Sequence, residues 1–289
     1  MRYSQLKAFH SVALYGGFSR AAEAILQTQP ALSEQVRRLE QEYDVLLFHR
    51  ERKRVHLTEE GKSLFLLTKR FFEVEQQIEE YMSETRSAVD GTLRIIVDSA
   101  HHITDTLSRF RAKHPDVFVS LRTGNTDEVL NELRAYNAEI GVVGSMDPGS
   151  GFETVDLGSA PIIAFAAKDY LPPDVDGISL RELAGMQLVF REKGSKTRQK
   201  LEEEAARQRL ALNPTFEVEG REAMREVVAS GNGVGFVSEA EFGNDNRLVK
   251  VRITDAELSM TETLVFMSLR RDVRIIRTFM GFVRTSVSR

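Results

Sequence analysis

The sequence contains no cysteine and no run of apolar residues long enough to span a membrane. Without thiols, neither a disulfide framework nor a zinc site with thiolate ligands can form, which fits a reducing compartment. A membrane helix needs about 20 predominantly apolar residues, and the N-terminal "MRYSQLKAFHSVALYGGF" lacks the apolar core of a signal peptide. These absences predict a cytosolic protein without a membrane partner.

The rest of the composition is that of an ordinary globular protein, with 42% hydrophobic and 28% charged residues. A length of 289 residues favours about two domains. The charge is divided unevenly: residues 1–58 carry nine basic and six acidic side chains, net +3, and the remainder carries thirty and thirty-seven, net −7. A basic head on an acidic body indicates that only the head meets a polyanion such as DNA.

The stretch "FSRAAEAILQTQPALSEQVRRLEQEY", residues 18–43, has the pattern of two short helices joined by a tight turn. Pro30 lacks an amide proton and is tolerated in a first helical turn, so it predicts a helix start with Thr28 or Gln29 at the cap. From Leu32 onward, apolar residues recur at steps of four and three and form one stripe. Two helices joined this closely are typical of a helix-turn-helix unit.

The polar side chains of this unit form the predicted DNA-binding surface. Short polar groups near the start of the second helix can reach base edges, and arginines further along can meet phosphate. Residues 45–61 follow as two β-like runs around a basic tip, which predicts a wing that contacts the DNA backbone or minor groove. For the tip alone, a solvated charged turn is the alternative. The predicted DNA-binding residues are Ser19, Thr28, Gln29, Pro30, Ser33, Glu34, Arg37, Arg38, Arg50, Arg52, Lys53 and Arg54.

The segment "LKAFHSVALYGGFSRAAEAILQTQPALSEQVRRLEQEYDVLLFHR", followed by "LTEEG", resembles the LysR-type transcriptional regulators, and the resemblance continues at lower specificity through the chain. It implies an N-terminal winged helix-turn-helix domain, a long linker helix and a two-lobed α/β effector-binding domain of the periplasmic-binding-protein type. The corresponding ranges are 1–58, 59–90 and 91–289, with lobe 1 at about 91–160 and 265–289 and lobe 2 at about 161–264.

The linker region carries apolar residues at alternating steps of three and four over more than three heptads. Such a stripe predicts a dimer seam, because two helices bury it by packing side by side. The predicted seam residues are Leu64, Leu67, Phe71, Val74, Ile78 and Tyr81. The alternative is that the helix packs on its own body. A two-fold dimer would present paired recognition helices to DNA half-sites, and the resemblance further implies tetramers.

Strands and helices alternate beyond Gly91, and three segments that follow strands are expected to meet in a cleft. Ligands of open α/β sheets bind at the carboxyl ends of strands, against helix N-termini that favour anions. The segments "DSAHH", "TGNT" and "REKGSKTRQK" therefore predict a small anionic effector. The predicted effector-binding residues are Asp98, Ser99, Ala100, His101, Asn125, Thr126, Arg191, Ser195, Thr197 and Arg198. The alternative is that Ser195 caps its helix and Arg198 pairs with Glu202.

A narrower resemblance rests on "SLRTGNTDEVLNELRAYNAEIGVVG", "REKGSKTRQKLEEEA" and "VEGREAMREVVASGNGVGFVSEAEFG". These stretches look like the LysR-type subgroup associated with aminoethylphosphonate catabolism. That resemblance implies 2-aminoethylphosphonate or a related phosphonate as the effector.

Two adjacent histidines, His101 and His102, raise the question of a metal or catalytic site. They have no third ligand at metal-site spacing, and no "HExxH" or "GxSxG" motif occurs. We therefore expect no metal, no cofactor and no catalytic residue, with His102 structural or exposed. The sequence favours a DNA-binding regulator. A two-lobed solute-binding or sensor protein without transcriptional output is the alternative, and an enzyme ranks third.

Overall fold

The structure is a computed structural model that describes residues 1–51, 54–82, 89, 91–145, 147–172 and 175–287. The chain divides into two compact units, an N-terminal unit (Met1–Ser87) and a C-terminal unit (Ala88–Arg289). Among the described helices, none combines the length and the apolar character that a membrane crossing requires.

The N-terminal unit is three helices followed by a two-stranded hairpin and one long helix. Its elements are α1 (Tyr3–Tyr15), α2 (Phe18–Ala24), α3 (Gln29–Tyr43), β1 (Phe48–Glu51), β2 (Arg54–Leu57) and α4 (Glu59–Met82). Phe9, Val12, Leu32 and Val36 are fully buried at the centre of the helices. The strands β1 and β2 pair antiparallel, with Phe48 opposite Leu57. The predicted helix-turn-helix, wing and long linker helix are therefore confirmed, and residues 83–88 and 90 of the predicted linker range 59–90 lie outside the described residues.

Two threonine side chains cap the N-termini of α3 and α4. The Thr28 hydroxyl accepts a hydrogen bond from the Ala31 amide at 3.4 Å, and Pro30 lies in the first turn of α3. The Thr58 hydroxyl accepts from the Gly61 amide at 2.9 Å and donates to a main-chain carbonyl of the preceding loop at 2.7 Å. Gly61 fits because a Cβ there would lie 2.2 Å from the carbonyl oxygen of Leu47.

The C-terminal unit alternates strands and helices. Its elements are β3 (Gly91–Val97), α5 (Thr104–Lys113), β4 (Val117–Thr123), α6 (Thr126–Arg134), β5 (Ile140–Gly144), β6 (Phe152–Ala167), β7 (Gly177–Ile178), α7 (Leu180–Leu183), β8 (Leu188–Arg191), α8 (Lys196–Arg207), β9 (Pro214–Val218), α9 (Arg221–Ala229), β10 (Gly235–Ser238), β11 (Leu248–Ile253), β12 (Ser259–Met267) and α10 (Arg274–Val287), with 3₁₀ turns at Glu239–Glu241 and Ser268–Arg270.

The larger sheet of this unit has the order β4-β3-β5-β12-β6-β11-β7, with β10 also paired to β6. Strand β3 runs parallel to β4 and β5, whereas β12 runs antiparallel to β5 and β6. Strands β8 and β9 form a separate parallel pair. The carboxyl ends of β3 and β4 therefore lie side by side, as do those of β8 and β9.

Two large apolar cores divide the unit into two lobes. The core of lobe 1 includes Phe110 and Phe279, whose rings meet edge to face at 5.2 Å. The core of lobe 2 includes Phe190 and Phe236, whose rings meet at 5.5 Å. Strand β12 joins the lobes, because its first half packs in the core of lobe 2 and its second half in that of lobe 1. The predicted two-lobed α/β body is confirmed.

Candidate functional site

Helix α3 carries six of the twelve residues predicted to contact DNA. Gln29, Pro30, Arg37 and Arg38 are exposed, as is Ser19 on α2. These five residues lie on the solvent side of the two helices of the helix-turn-helix. They are therefore accessible from solvent, with Thr28 at the cap of α3 and Ser33 partly exposed.

One carboxylate organises the arginines of this surface. The Glu34 carboxylate accepts hydrogen bonds from Arg37 Nε at 2.9 Å and from Arg38 Nε at 2.7 Å. Hydrogen bonds from these two guanidiniums lower the pKa of Glu34 to about 2. Each guanidinium has five N–H donors, so several remain available to phosphate. Glu34 thus orients the arginines and is not itself suited to a phosphate contact.

Two of the predicted wing residues lie on the paired strands of the hairpin. Arg50 on β1 lies opposite Val55, and Arg54 on β2 lies opposite Glu51. The tip residues of the predicted wing, Arg52 and Lys53, lie outside the described residues. The hairpin is present, and the wing contacts stay a prediction.

Five of the six predicted seam residues on α4 are exposed. The exposed fractions are 58% for Leu67, 47% for Phe71, 53% for Val74, 58% for Ile78 and 84% for Tyr81. Leu64 differs, because it packs partly buried against the core of the N-terminal unit. Among the described residues, the apolar stripe beyond Leu64 therefore stays about half exposed or more, as a seam between two copies requires.

A histidine lies where α1 packs on α4. The His10 ring lies 4.6 Å from the Phe72 ring and 5.4 Å from the Phe65 ring, and Nδ1 is 3.0 Å from the Thr68 hydroxyl. Burial, with a smaller contribution from the charge of Lys69, lowers the pKa of His10 to about 4. The ring is therefore neutral at pH 7, and this contact helps to fix the start of the linker helix.

The C-terminal unit contains a cavity of about 770 Å³ at the predicted strand ends. It lies at the carboxyl ends of β3, β4, β8 and β9 and at the N-termini of α6 and α9. The lining residues are Asp98, Ser99, Ala100, His101, Thr123, Gly124, Asn125, Glu128, Arg191, Glu192, Glu219, Gly220, Arg221, Glu222 and Ala223. Six of the ten predicted effector-binding residues are among them, from Asp98 to His101 and at Asn125 and Arg191.

A buried carboxylate bridges the lobes at the floor of this cavity. Asp98, with 2% of its side chain exposed, accepts from Arg191 Nη1 at 2.8 Å and from Arg221 Nη2 at 3.2 Å. Arg191 also donates to Glu192 at 2.6 Å. Burial opposes the charge of Arg191, but the pairs with Asp98 and Glu192 outweigh it and raise the pKa of this guanidinium above its ordinary value. Both arginines of the cavity are thus already paired with carboxylates.

Four predicted effector-binding residues lie outside the cavity lining: Thr126, Ser195, Thr197 and Arg198. Arg198 donates from Nε to Glu202 at 2.8 Å and from Nη1 to Glu217 at 2.6 Å, so the alternative i,i+4 pair is the one present. Ser195 occupies the cap position of α8, but its side chain makes no cap hydrogen bond. Nη1 of Arg198 also donates to the main-chain carbonyl of Arg191 at 2.8 Å. Contrary to the sequence expectation, Arg198 does not line the cavity, because these partners hold its guanidinium.

The sequence prediction missed Arg221, which lines the cavity where Arg198 was expected. Arg221 is the first residue of α9, after Gly220, whose φ of 80° favours glycine. The available signal was "VEGREA", in which a strand is followed by glycine and a charged helix start, as at "REKGSKT". The cavity lining also carries five carboxylates against two guanidiniums, from Asp98, Glu128, Glu192, Glu219 and Glu222 against Arg191 and Arg221.

His102 is not a lone histidine, contrary to the sequence expectation that it lacks potential co-ligands. Its Nε2 lies 3.2 Å from Glu241 Oε1 and 3.9 Å from Glu262 Oε1. These glutamates are distant in sequence, so ligand spacing could not reveal them. Burial, and then the negative charges of Glu241 and Asp98, raise the pKa of Glu262 to about 7.

Comparison with known protein families gives two matches that together cover nearly the whole chain. Residues 3–62 match the bacterial regulatory helix-turn-helix protein, lysR family, and residues 86–288 match the LysR substrate binding domain. The second match alone covers more than half of the chain.

Individual relatives are also transcriptional regulators by name. The regulatory protein NocR of Agrobacterium fabrum is 30% identical over 245 residues, which cover 81% of this chain and 79% of NocR. The HTH-type transcriptional activator CmpR of Synechocystis is 27% identical over 236 residues, which cover 81% of this chain and 78% of CmpR.

Solved structures share the fold. A full-length OxyR from Pseudomonas aeruginosa superposes with a TM-score of 0.80 at 20% identity, covering 99% of this chain and 96% of that chain. Full-length CbnR in complex with its target DNA superposes with a TM-score of 0.68 at 20% identity, covering 99% and 100%. The chain therefore belongs to the LysR family of transcriptional regulators, which are not enzymes.

Proposed function

We propose that this regulator binds operator DNA as a dimer, or as a pair of dimers, and responds to a small effector that carries both an anionic and a cationic group. The observation that carries the effector part is the bridge from Asp98 to Arg191 and Arg221 at the floor of the cavity.

The ion pairs of Asp98 with Arg191 and Arg221 determine how an anionic ligand can bind in the cavity. Each guanidinium already has a carboxylate partner, so an effector's anionic group gains most by replacing Asp98 at both arginines. This exchange breaks a contact between the lobes. A ligand shifts a conformational equilibrium only by its difference in affinity for the two states, and the exchange supplies such a difference.

The excess of carboxylates argues against a purely anionic effector. Displacing Asp98 would leave a buried carboxylate without a cation, which is costly. An effector with an ammonium group avoids this cost, because the ammonium can bind Asp98 or the acidic side chains of Glu219 and Glu222. A zwitterion therefore exchanges ion pairs without leaving a buried charge unpaired.

Among zwitterions, 2-aminoethylphosphonate is the finer proposal. It rests on the three stretches that resemble the aminoethylphosphonate-associated subgroup and on the mixed charge of the cavity. The names of NocR and CmpR do not mention a phosphonate. Small amino acids have the same pair of charges and are the competing ligands.

Thermal unfolding of the full chain tests the effector proposal. A ligand present at a hundred times its Kd stabilises the unit that binds it by about 2.7 kcal/mol. We expect 2-aminoethylphosphonate to raise the melting temperature more than ethylphosphonate, which lacks the amine, or ethanolamine, which lacks the anion. Equal shifts of the melting temperature with ethylphosphonate and with 2-aminoethylphosphonate would show that the effector needs no ammonium group. A shift with amino acids only would exclude a phosphonate effector.

Two arginine variants locate the response. We expect Arg221→Gln to abolish the shift and Arg198→Gln to leave it intact, because Arg198 is held by Glu202 and Glu217. The opposite result would place the effector at the N-terminus of α8 and contradict the proposed cavity.

The DNA-binding part is carried by the exposed arginines of α3 and the uncovered stripe of α4. An operator can be selected from random duplexes with the full chain and then titrated at increasing salt. If each dimer makes about 6–10 phosphate contacts, affinity falls by about 10³–10⁵ between 50 and 200 mM salt. Affinity that hardly changes over this range would contradict phosphate contacts by the arginines and the wing.

A further inference from the structure

A second group of ionisable side chains lies buried beside the cavity, on residues that do not line it. His102 follows β3, Glu241 ends the 3₁₀ turn after β10, and Glu262 lies on β12. Their side chains are 12%, 2% and 1% exposed. One potential ligand atom from each lies within 4.8 Å of the others. We propose that these three side chains bind a divalent transition-metal ion of the Mn²⁺, Fe²⁺ or Zn²⁺ type.

The buried glutamate oxygens supply the first argument. Both carboxylate oxygens of Glu262, and Oε2 of Glu241, are buried without a hydrogen-bond partner among the described residues. A buried acceptor without a donor costs about 1–3 kcal/mol, and a charged one costs more. Oε1 of Glu262, one of these oxygens, lies 3.9 Å from His102 Nε2, and a cation bound between the three residues would give the unpartnered carboxyl oxygens a ligand role.

The charge of the surrounding network supplies the second argument. Hydrogen bonds connect Glu192, Arg191, Asp98, Arg221 and Glu241 in sequence, and Glu262 lies at the end beside His102. This network contains four carboxyl groups and two guanidiniums. The carboxyl groups therefore outnumber the cationic groups by two. Buried carboxylates require compensating cations, so this composition favours a bound divalent ion.

The distances and donor types indicate which ions fit. Metal–ligand bonds of about 2.0–2.2 Å place neighbouring ligand atoms about 3.0–3.6 Å apart. The distances from His102 Nε2 are 3.2 Å to Glu241 and 3.9 Å to Glu262, and all three ligand atoms lie within 4.8 Å of one another, so a bound ion would draw the carboxylates closer together. An imidazole with two carboxylates suits Mn²⁺, Fe²⁺, Co²⁺ or Zn²⁺, whereas Ca²⁺ prefers oxygen ligands alone.

Titration of the chelator-stripped full chain tests the site. Mn²⁺ is the first probe, because bound and free Mn²⁺ differ in their electron paramagnetic resonance signal, and Zn²⁺ is the competitor. We expect one Mn²⁺ per chain, displaced by Zn²⁺ and not by Ca²⁺. We expect His102→Ala and Glu262→Gln each to weaken Mn²⁺ binding by at least about 10-fold, since each removes a charge or a donor from the ion.

His56→Ala is the control, because His56 is an exposed histidine of the N-terminal unit and lies outside the cluster. It should leave the affinity unchanged. Absence of Mn²⁺ and Zn²⁺ binding, or equal affinity in His102→Ala, Glu262→Gln and the unsubstituted chain, would overturn the site. If His102→Ala fails to fold, Glu262→Gln decides, because it keeps the shape of the side chain. Effector shifts measured in chelator test the cavity separately from the metal.

Discussion

The arginines of the two units contrast in exposure and in the partners they meet. Arg37 and Arg38 in the N-terminal unit are 53% and 56% exposed and pair with Glu34 on their own helix. Arg191 and Arg221 in the C-terminal unit are 6% and 19% exposed and reach across to the other lobe. An exposed arginine is available to an external polyanion at little cost in stability. A buried arginine stabilises one arrangement of the lobes and has to change partners before it can bind a ligand.

The largest expected effect comes from breaking the buried pair. Arg191→Ala leaves Asp98 and Glu192 buried with less compensation, and loss of one partner of a buried pair costs about 3–5 kcal/mol. Urea unfolding of the variant measures this loss. Arg252→Ala is the control, because its pair with Asp176 is exposed and should be worth about 0–1 kcal/mol. Equal losses in the two variants would remove the contrast between buried and exposed pairs.

The next effect concerns assembly and not folding. Ile78→Glu places a carboxylate in the proposed seam of α4, where two copies of the charge would face each other. We expect the dimer Kd to rise by about 100-fold or more, which is about 2.7 kcal/mol, as measured by sedimentation velocity. Gln76→Glu, on the opposite side of the helix, should leave the Kd unchanged. Dimers of unchanged affinity in the first variant would assign the stripe to contacts within the chain.

A smaller effect is expected from the exposed arginines. Arg37→Ala should weaken DNA binding and reduce the salt slope by about 1, because one phosphate contact is lost. Its free energy of unfolding should change by about 0.5 kcal/mol or less, as for other exposed substitutions. Fluorescence anisotropy at several salt concentrations gives the slope. A variant with an unchanged slope would exclude Arg37 from the phosphate-contacting set.

The effect expected to be smallest at neutral pH is a pH dependence of the N-terminal unit, which grows only as the pH falls below about 6.5. The pKa of His10 is about 4 in the folded chain and about 6.5 unfolded, so only the unfolded chain binds this proton between those values. Stability should therefore fall as the pH is lowered from about 6.5 towards 4. Thermal unfolding at stepped pH measures the decline. His10→Leu should flatten it, and a curve of unchanged shape would show that other groups cause it.

The predictions made from sequence succeeded where the information was local. Pro30 and the threonine before it marked the start of α3, and the steps from Leu32 to Val36 located its buried face. Adjacent strand ends also located most of the cavity, because parallel strands place consecutive loops side by side. Arg198 was misplaced because two strand-to-helix turns of lobe 2 carry arginine near glycine. The ion pairs decided which arginine lines the cavity, because Arg221 pairs with Asp98 and Arg198 pairs with Glu202 and Glu217.

By itself, the sequence determined the order of the elements, the helix starts, the apolar faces and the family, because each depends on neighbouring residues or on a periodic pattern. The tertiary structure alone decided which buried charges meet between elements distant in sequence. Asp98 lies 93 positions from Arg191 and 123 from Arg221, and His102 lies 139 positions from Glu241. The energy of a buried ion pair depends on distance and burial, and neither is encoded in the local spacing of charges along the chain.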